Sequence, residues 1–409
     1  MTKVTRATRA TRAMATMGSA GRGAGRGGRL MRPLRVLGYG AAAATLGGGA
    51  LVVGALAEAR APIQRGVSVP VLRSGLGDLR VLQISDVHMW RGSRWEVRWI
   101  QSLVDLEPDL VILTGDNLCE AQGLPLLQRA LQPLAGIPGA FVFGSNDYYS
   151  GTFSLPFRYA GPATRNAAKR LLSLGRGLGD ASGTDSSSAA EGAGGAHADA
   201  APRKPKRTTP DLPHRELAAF LTEQLGWADL RNGGAVLQVP LHRPGRVDEV
   251  RQTTLTVSLT GVDDPHINYD APVYPGPDWQ RADVRIGVTH APYARVLDAM
   301  TAAGADLIVA GHTHGGQICL PVGRALVNNS DAPLWASGGL HRWQRGCVAS
   351  PKPNTYRGSL RPLPTYPADA PDSTWLHVSR GLGTSKYTPI RLFCRPETTL
   401  VTLTRRTHS

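Results

Sequence analysis

The 409-residue sequence is short of several features that would decide its class quickly. It has four cysteines, Cys119, Cys319, Cys347 and Cys394, and no CxxC spacing, which excludes a zinc finger or a dithiol redox motif. In an exported domain one disulfide is compatible with four such residues; buried free thiols are the simpler expectation. No acidic residue precedes Glu58, whereas nine basic ones do (Lys3, Arg6, Arg9, Arg12, Arg22, Arg26, Arg29, Arg32 and Arg35). Without those nine the net charge falls from +15 to +6, an ordinary mildly basic domain. The high pI is therefore no argument for a nucleic-acid partner, and with no binding motif or aromatic–basic stripe none is expected. Aromatic residues are absent between Tyr159 and Phe220. Residues 179–210 are rich in Gly, Ala and Ser and end in Arg203, Lys204, Lys206 and Arg207. Such a stretch cannot bury a core, and a disordered insertion over about residues 175–212 is expected.

Uncharged apolar sequence is concentrated in one long run. Residues 1–35 are a basic tail expected to be disordered. Val36–Ala57 then continues for 22 residues without a charge. At ~1.5 Å per residue a helix of that length spans a bilayer core of ~30 Å. The basic flank predicts an inside N-terminus and an extracytoplasmic remainder at the cell membrane. Ala55-Leu56-Ala57 also fits a small-x-small cleavage site, and cleavage after Ala57 would release a secreted domain. The length of the run favours a retained anchor over a signal segment.

Downstream, strand and helix patterns alternate from about residue 67 to 404. Leu79–Ser85 reads as a strand, Arg94–Leu106 as an amphipathic helix closed by Pro108, and Leu110–Leu113 as the next strand, a unit of βαβ size. A helix at Leu124–Leu134 and a strand at Ala140–Phe143 follow, then a helix at His214–Leu225. Thr254–Thr260 and Val284–Val288 read as strands, Ala294–Ala303 as a helix, and Leu307–Ala310 as a short buried strand. Further strands are expected at Leu376–Ser379, Leu392–Cys394 and Thr398–Leu403. The class is α/β.

Residues with ligating chemistry stand just past these apolar runs: Asp86, His88, Asp116, Asn146, His290, His312 and His314. Ligands collect outside the carboxyl ends of strands in open α/β sheets. The set contains carboxylates, imidazoles and an amide but no thiolate, which suits Mn, Fe, Zn or Mg. Seven candidates exceed one tetrahedral site and match two divalent ions sharing a carboxylate. Individually each has a plainer reading: Asp86 as a helix cap, Asp116 as a turn residue, His290 as a packed core histidine. Asp263 and His266 read as turn residues or as supports behind the ligands.

Taken in order, Asp86-x-His88, Gly115-Asp116, the Asn146 turn, His290 and Gly311-His312-x-His314 resemble the motif set of the calcineurin-like metallophosphoesterases, over Leu79–Thr404 minus the insertion. Gly261–His266 and Gly311–Ile318 further resemble its membrane-associated bacterial branch. The resemblance implies a four-layer α/β/β/α sandwich of two mixed sheets. It implies that Asp86, His88 and His314 hold one metal, that Asn146, His290 and His312 hold a second, and that Asp116 bridges them. A hydroxide between the metals would attack the phosphorus of a phosphomonoester or diester, with a phospholipid or cell-envelope ester as the expected substrate. The family usually has Gly-Asn-His-Asp where this chain has Gly144-Ser145-Asn146-Asp147. Without a gap, Ser145 takes the amide ligand's place and Asn146 that of the catalytic histidine. Shifted by one, Asn146 remains the ligand and Asp147 replaces the histidine as the group able to protonate the leaving group. The shift is preferred, because an amide oxygen ligates better than a hydroxyl. The missing histidine also leaves a second reading, a metal-binding, membrane-tethered scaffold without turnover.

Overall fold

The computed structural model describes residues 48–151, 209–241, 254–273, 275, 278–348, 370–384 and 388–406. The chain divides after Leu51; of the first unit only residues 48–51 are described, and they are helical. The remaining statements concern the second unit, residues 52–409. The basic tail, the expected membrane span as far as residue 47, and the insertion apart from residues 209–212 lie outside the described residues. Among the described residues no helix is long and apolar enough to cross a membrane.

Among the described residues, twelve strands form two six-stranded mixed sheets. The first has the order β1 (Ile63–Leu72), β12 (Glu397–Arg405), β2 (Leu79–Ile84), β3 (Leu110–Leu113), β4 (Gly139–Phe141), β5 (Ala228–Asp229). The second runs β10 (Gly339–Gln344), β11 (Ser373–Val378), β9 (Leu307–Ala310), β8 (Val284–Val288), β7 (Thr254–Gly261), β6 (Gly233–Pro240). Strands β2, β3, β4 and β5 are parallel to one another, as are β7, β8, β9 and β11; β12 against β2, β6 against β7 and β10 against β11 are antiparallel.

Side-chain alternation along each strand divides its residues between two layers. Leu79 and Val81 of β2, Leu110 and Ile112 of β3, Val284, Ile286 and Val288 of β8, and Leu307 and Val309 of β9 fill the space between the sheets. Leu82, Ile84, Val111 and Leu113 face outward onto the helices α1 (Arg94–Ser102), α2 (Leu124–Leu131) and α3 (His214–Ala219). Ile308 and Ala310 face the opposite way, onto α4 (Ala294–Ala302). Helices, sheet, sheet and helix therefore stack in that order. The expected helix at 94–106 ends in a 3-10 turn at Leu103–Leu106, and that at 214–225 in a π turn at Phe220–Gln224.

Three differences from the sequence reading have physical reasons. Strand β1 starts at Ile63, ahead of Val67; it is a half-exposed edge strand carrying Gly66 and Pro70, so it shows no apolar run. Leu392–Cys394 is not a strand; Leu392 makes only an isolated parallel bridge to Ile318. At the end of the expected insertion, Leu212 is buried and Asp211 accepts hydrogen bonds from Ser150, so these two residues are packed into the domain.

Candidate metal centre

All seven predicted ligands follow the carboxyl ends of parallel strands: Asp86 and His88 after β2, Asp116 after β3, Asn146 after β4, His290 after β8, His312 and His314 after β9. The loops after β2 and β3 run side by side, with the Asp86 N–H bonded to the Gly115 carbonyl and the His88 N–H to the Asp116 carbonyl, both at 2.9 Å. The loop after β11 closes on them: Leu382 N–H donates to Ser85 O and Gly383 N–H to Asp86 O. Beneath the site, Gln83 joins the sheets, its amide donating to Ala310 O at 2.8 Å and its oxygen facing His377 Nδ1 at 2.6 Å.

Five of the ligands have left-handed backbones: Asp86 (φ 51°), His88 (50°), Asp116 (54°), His312 (70°) and His314 (51°). Such conformations cost of order 1–3 kcal/mol each in non-glycine residues and persist where the surroundings over-determine them. The reversal turns each side chain back over the strand ends instead of letting it follow the loop outward.

Two buried triads result, Asp86–His88–His314 and Asp116–His290–His312, each with one ligand atom per residue and all three atoms within 4.8 Å of one another. Asp116 stands between them. Its Oδ2 lies 3.7 Å from His88 Nε2 and its Oδ1 3.5 Å from His290 Nε2. Ring nitrogens face each other inside each triad, His88 Nε2 to His314 Nε2 at 3.0 Å and His312 Nδ1 to His290 Nε2 at 3.2 Å. Two neutral imidazoles that aim lone pairs at one point beside a carboxylate are a ligand arrangement. Oxygen and nitrogen donors without thiolate fit hard to borderline divalent metals.

Electrostatics agree with that fit. Burial, followed by neighbouring charged groups, holds His312 and His314 well below the ordinary histidine range, so both imidazoles are neutral at pH 7. Burial also lowers His88, against the pull of Asp116 and Asp86. Burial opposes charge on His290 as well, but Asp116, Asp264 and Asp86 raise it to about 9. Burial would raise Asp116, yet His290, His88 and two hydrogen bonds from Asn146 keep it low.

The groups behind the ligands are partly in place. His290 Nδ1 donates to Thr114 O at 2.7 Å, which leaves Nε2 for the site. Asp86 is held by the Ser85 hydroxyl at 2.5 Å and by the His312 N–H. Among the described residues, His88 Nδ1 and His312 Nε2 are buried without a hydrogen-bond partner.

The Gly144–Asp147 turn departs from the preferred register. Asn146 lies at the site, its backbone N–H donating to Asp116 Oδ1 at 2.8 Å and its amide to Oδ2 at 2.7 Å. Asp147 does not face the pocket. It is fully buried and accepts 2.9 Å hydrogen bonds from the N–H groups of Asp116, Asn117 and Gly144. Burial and the Asp116 charge push its carboxyl up to about 7, which would suit an acid, but both oxygens are turned onto backbone donors. Asp147 therefore sits as a brace for the Asp116 loop, not in a histidine's place. That position agrees with the ungapped register, in which it takes the family's own aspartate position.

Two further residues were not legible as site components. Asp264 lies behind His290, its carboxyl raised by burial to about 8. Arg391 is fully buried, with Nη2 3.0 Å from His314 Nδ1 and donating to Gly383 O. Asp264 stands in the Gly261–His266 loop, but nothing in that loop, or near Arg391, marks either residue as part of the site.

Gly144 has no side chain because none fits: a Cβ there would lie 2.3 Å from Asp116 Oδ1 and 2.6 Å from His290 Nε2. Gly144→Ala is expected to displace both ligands, lower metal content by one ion per chain, and reduce kcat/KM about 10²-fold, as an ångström-scale misplacement does. Elemental analysis and steady-state kinetics on the folded variant check this.

The fold and site are those of a metallophosphoesterase. The Calcineurin-like phosphoesterase profile matches residues 79–316, more than half the chain, and the chain belongs to that family. It is also similar to a Bos taurus protein described as "Transmembrane protein with metallophosphoesterase domain", 31% identical over 111 residues. That similarity covers 25% of this chain and spans only 24% of the bovine protein. Among solved structures it matches "GAP50 the anchor in the inner membrane complex of Plasmodium" at 14% identity and a TM-score of 0.27, covering 58% of this chain and 66% of that one.

Proposed function

We propose that this chain is a binuclear metal-dependent phosphoester hydrolase of the membrane-associated bacterial branch, with its domain outside the cell membrane. The observation that carries the reading is the split of the Asp116 carboxylate, one oxygen toward each triad. Asp86, His88 and His314 would hold one divalent ion (Mn, Fe, Zn or Mg), and His290 and His312 the other, with Asp116 shared and Asn146 beside it. Two such ions lower the pKa of a water and neutralise charge on phosphoryl oxygens. The chain's own contribution is position. Asn146 pins both oxygens of Asp116, Asp147 braces the loop that carries it, and burial favours the neutral form of His88, His312 and His314.

Protonation of the leaving group is the weak step. Asp147 is turned away and Asn146 has no acidic proton, so help worth about 10²–10⁴-fold is missing. Esters with good leaving groups are the substrates this site handles best.

The membrane reading rests on residues 36–57 and on how the segment ends. Ala55 O accepts the Arg391 N–H at 3.0 Å, and the Glu58 carboxylate accepts the N–H groups of Phe393 and Cys394. Cleavage after Ala57 would remove Ala55 from this contact, which favours a retained anchor. A tethered site suits a phospholipid or other lipid-linked envelope ester. The second reading, a metal-binding scaffold without turnover, draws on the same altered turn.

The deciding experiment is elemental analysis of the purified full-length protein alongside a phosphoester panel. Two metals per chain, chelator-sensitive hydrolysis, and rates falling steeply from nitrophenyl to alkyl esters are expected. Two metals with no turnover on any ester would establish the scaffold, and a metal-free protein would end both readings.

A further inference from the structure

Two of the four cysteines meet directly behind His314. Cys319 Sγ donates to the Gly315 carbonyl at 3.1 Å and Cys394 Sγ to the adjacent His314 carbonyl at 3.2 Å. The two thiols also influence each other's ionisation across the contact. Both are buried, at 3% and 0% exposure. Their segments are already joined by backbone bonds: Cys319 N–H donates to Leu392 O at 2.9 Å and Leu392 N–H to Gln317 O at 3.0 Å. A Cβ on Gly315 would lie 2.7 Å from Cys394 Sγ, so the sulfur is packed onto the ligand loop itself. The other two cysteines take no part; Cys347 is exposed, and the N–H of Cys119 is bonded to Met89 O in the β2–β3 loop pair.

We propose that Cys319 and Cys394 are a disulfide-forming pair that locks the His314 loop onto the segment carrying Arg391. Arg391 lies three residues before Cys394; its guanidinium donates to Arg380 O and Gly383 O, both at 2.6 Å, and reaches His314 Nδ1 at 3.0 Å. A covalent bond between the two sulfurs fixes the distance between the segment that ends in the ligand and the segment that buttresses it. Held as thiols, the same contact rests on weak S–H donors.

The chemistry is thiol–disulfide exchange with a donor disulfide, such as oxidised glutathione or an oxidoreductase of the export compartment. One cysteine thiolate attacks a donor sulfur, and the first donor thiolate leaves. The second cysteine thiolate attacks the resulting mixed disulfide, and the second donor thiolate leaves. Two protein thiols thus become one disulfide, and the donor gains two electrons and two protons. Because both sulfurs are buried in the fold, the bond forms as the chain folds and is shielded from reductants afterwards.

The test refolds the full-length chain with metal in oxidised or in reduced glutathione buffer and alkylates it under denaturing conditions before peptide mass spectrometry. The oxidised sample is expected to give a Cys319–Cys394 cross-linked peptide, with Cys119 and Cys347 alkylated. It should lose metal to a chelator about 10-fold more slowly than the reduced sample, the scale of effect seen for groups behind metal ligands. The double variant Cys319→Ser, Cys394→Ser keeps hydroxyl donors for both carbonyls and is expected to match the reduced sample in either buffer. Alkylated Cys319 and Cys394 in the oxidised sample would overturn the pairing. Equal metal loss from the oxidised and reduced samples would overturn the locking role. Both readouts are independent of turnover, so neither failure resembles a failure of the hydrolase reading.

Discussion

Asp116→Ala is expected to strip metal from both triads and to lower kcat/KM on an activated phosphodiester by about 10³–10⁴-fold. Charge stabilisation by catalytic metals is worth several kcal/mol, and about 1.36 kcal/mol corresponds to a decade in rate. Among the described residues Asp116 is the side chain placed for this double effect, with one oxygen 3.7 Å from His88 and the other 3.5 Å from His290. By contrast, His314→Ala or His312→Ala should each remove one ion. The measurement is metal content per chain with steady-state kinetics in Mn²⁺. An Asp116→Ala protein that keeps both ions and its full rate would sink the shared-carboxylate assignment.

Asp147 offers the second large effect, and its sign separates two roles. As a brace, its loss leaves the N–H groups of Asp116, Asn117 and Gly144 buried without an acceptor. At about 1–3 kcal/mol for each unsatisfied donor, and with some relaxation, Asp147→Ala should destabilise the domain by about 3–5 kcal/mol. That corresponds to a fall in Tm of roughly 10 °C for a domain of this size. Asp147→Asn keeps the shape but presents an NH₂ group to one of those donors, and should lose about 1–3 kcal/mol. A general acid behaves differently: its amide variant would keep its Tm and lose the alkaline limb of the pH–rate profile. Calorimetry of both variants, with the pH profile of Asp147→Asn, decides between the two. An unchanged Tm with a lost limb would restore Asp147 to the acid role.

How much was legible before folding depended on whether a residue's task lies along the chain or across it. β2, β3, β8 and β9 read clearly because strands buried on both faces appear as short unbroken apolar runs. β6 and β10 are edge strands with exposed positions, and their mixed sequences Gly233–Pro240 and Gly339–Gln344 carry no such run. The candidate ligands were legible because metal chemistry admits few residue types and the fold delivers them at strand ends. The register of the Gly144–Asp147 turn was not. Both alignments are chemically reasonable, and the choice rests on where one carboxylate points. Asp264 and Arg391 were missed for the same reason, since their roles exist only through His290 and His314, which are distant in sequence.

What the sequence by itself determined is the order of apolar runs, the α/β class, and which donor atoms are available for a metal centre. Local chemistry suffices for these, because burial patterns and ligand types are properties of each segment alone. Tertiary structure decided that one carboxylate stands between both triads, that Asp147 faces backbone donors rather than the pocket, and that Cys319 and Cys394 meet. Those outcomes depend on backbone reversals at Asp86, His88, Asp116, His312 and His314. Only contacts between segments up to hundreds of residues apart can hold such conformations in place.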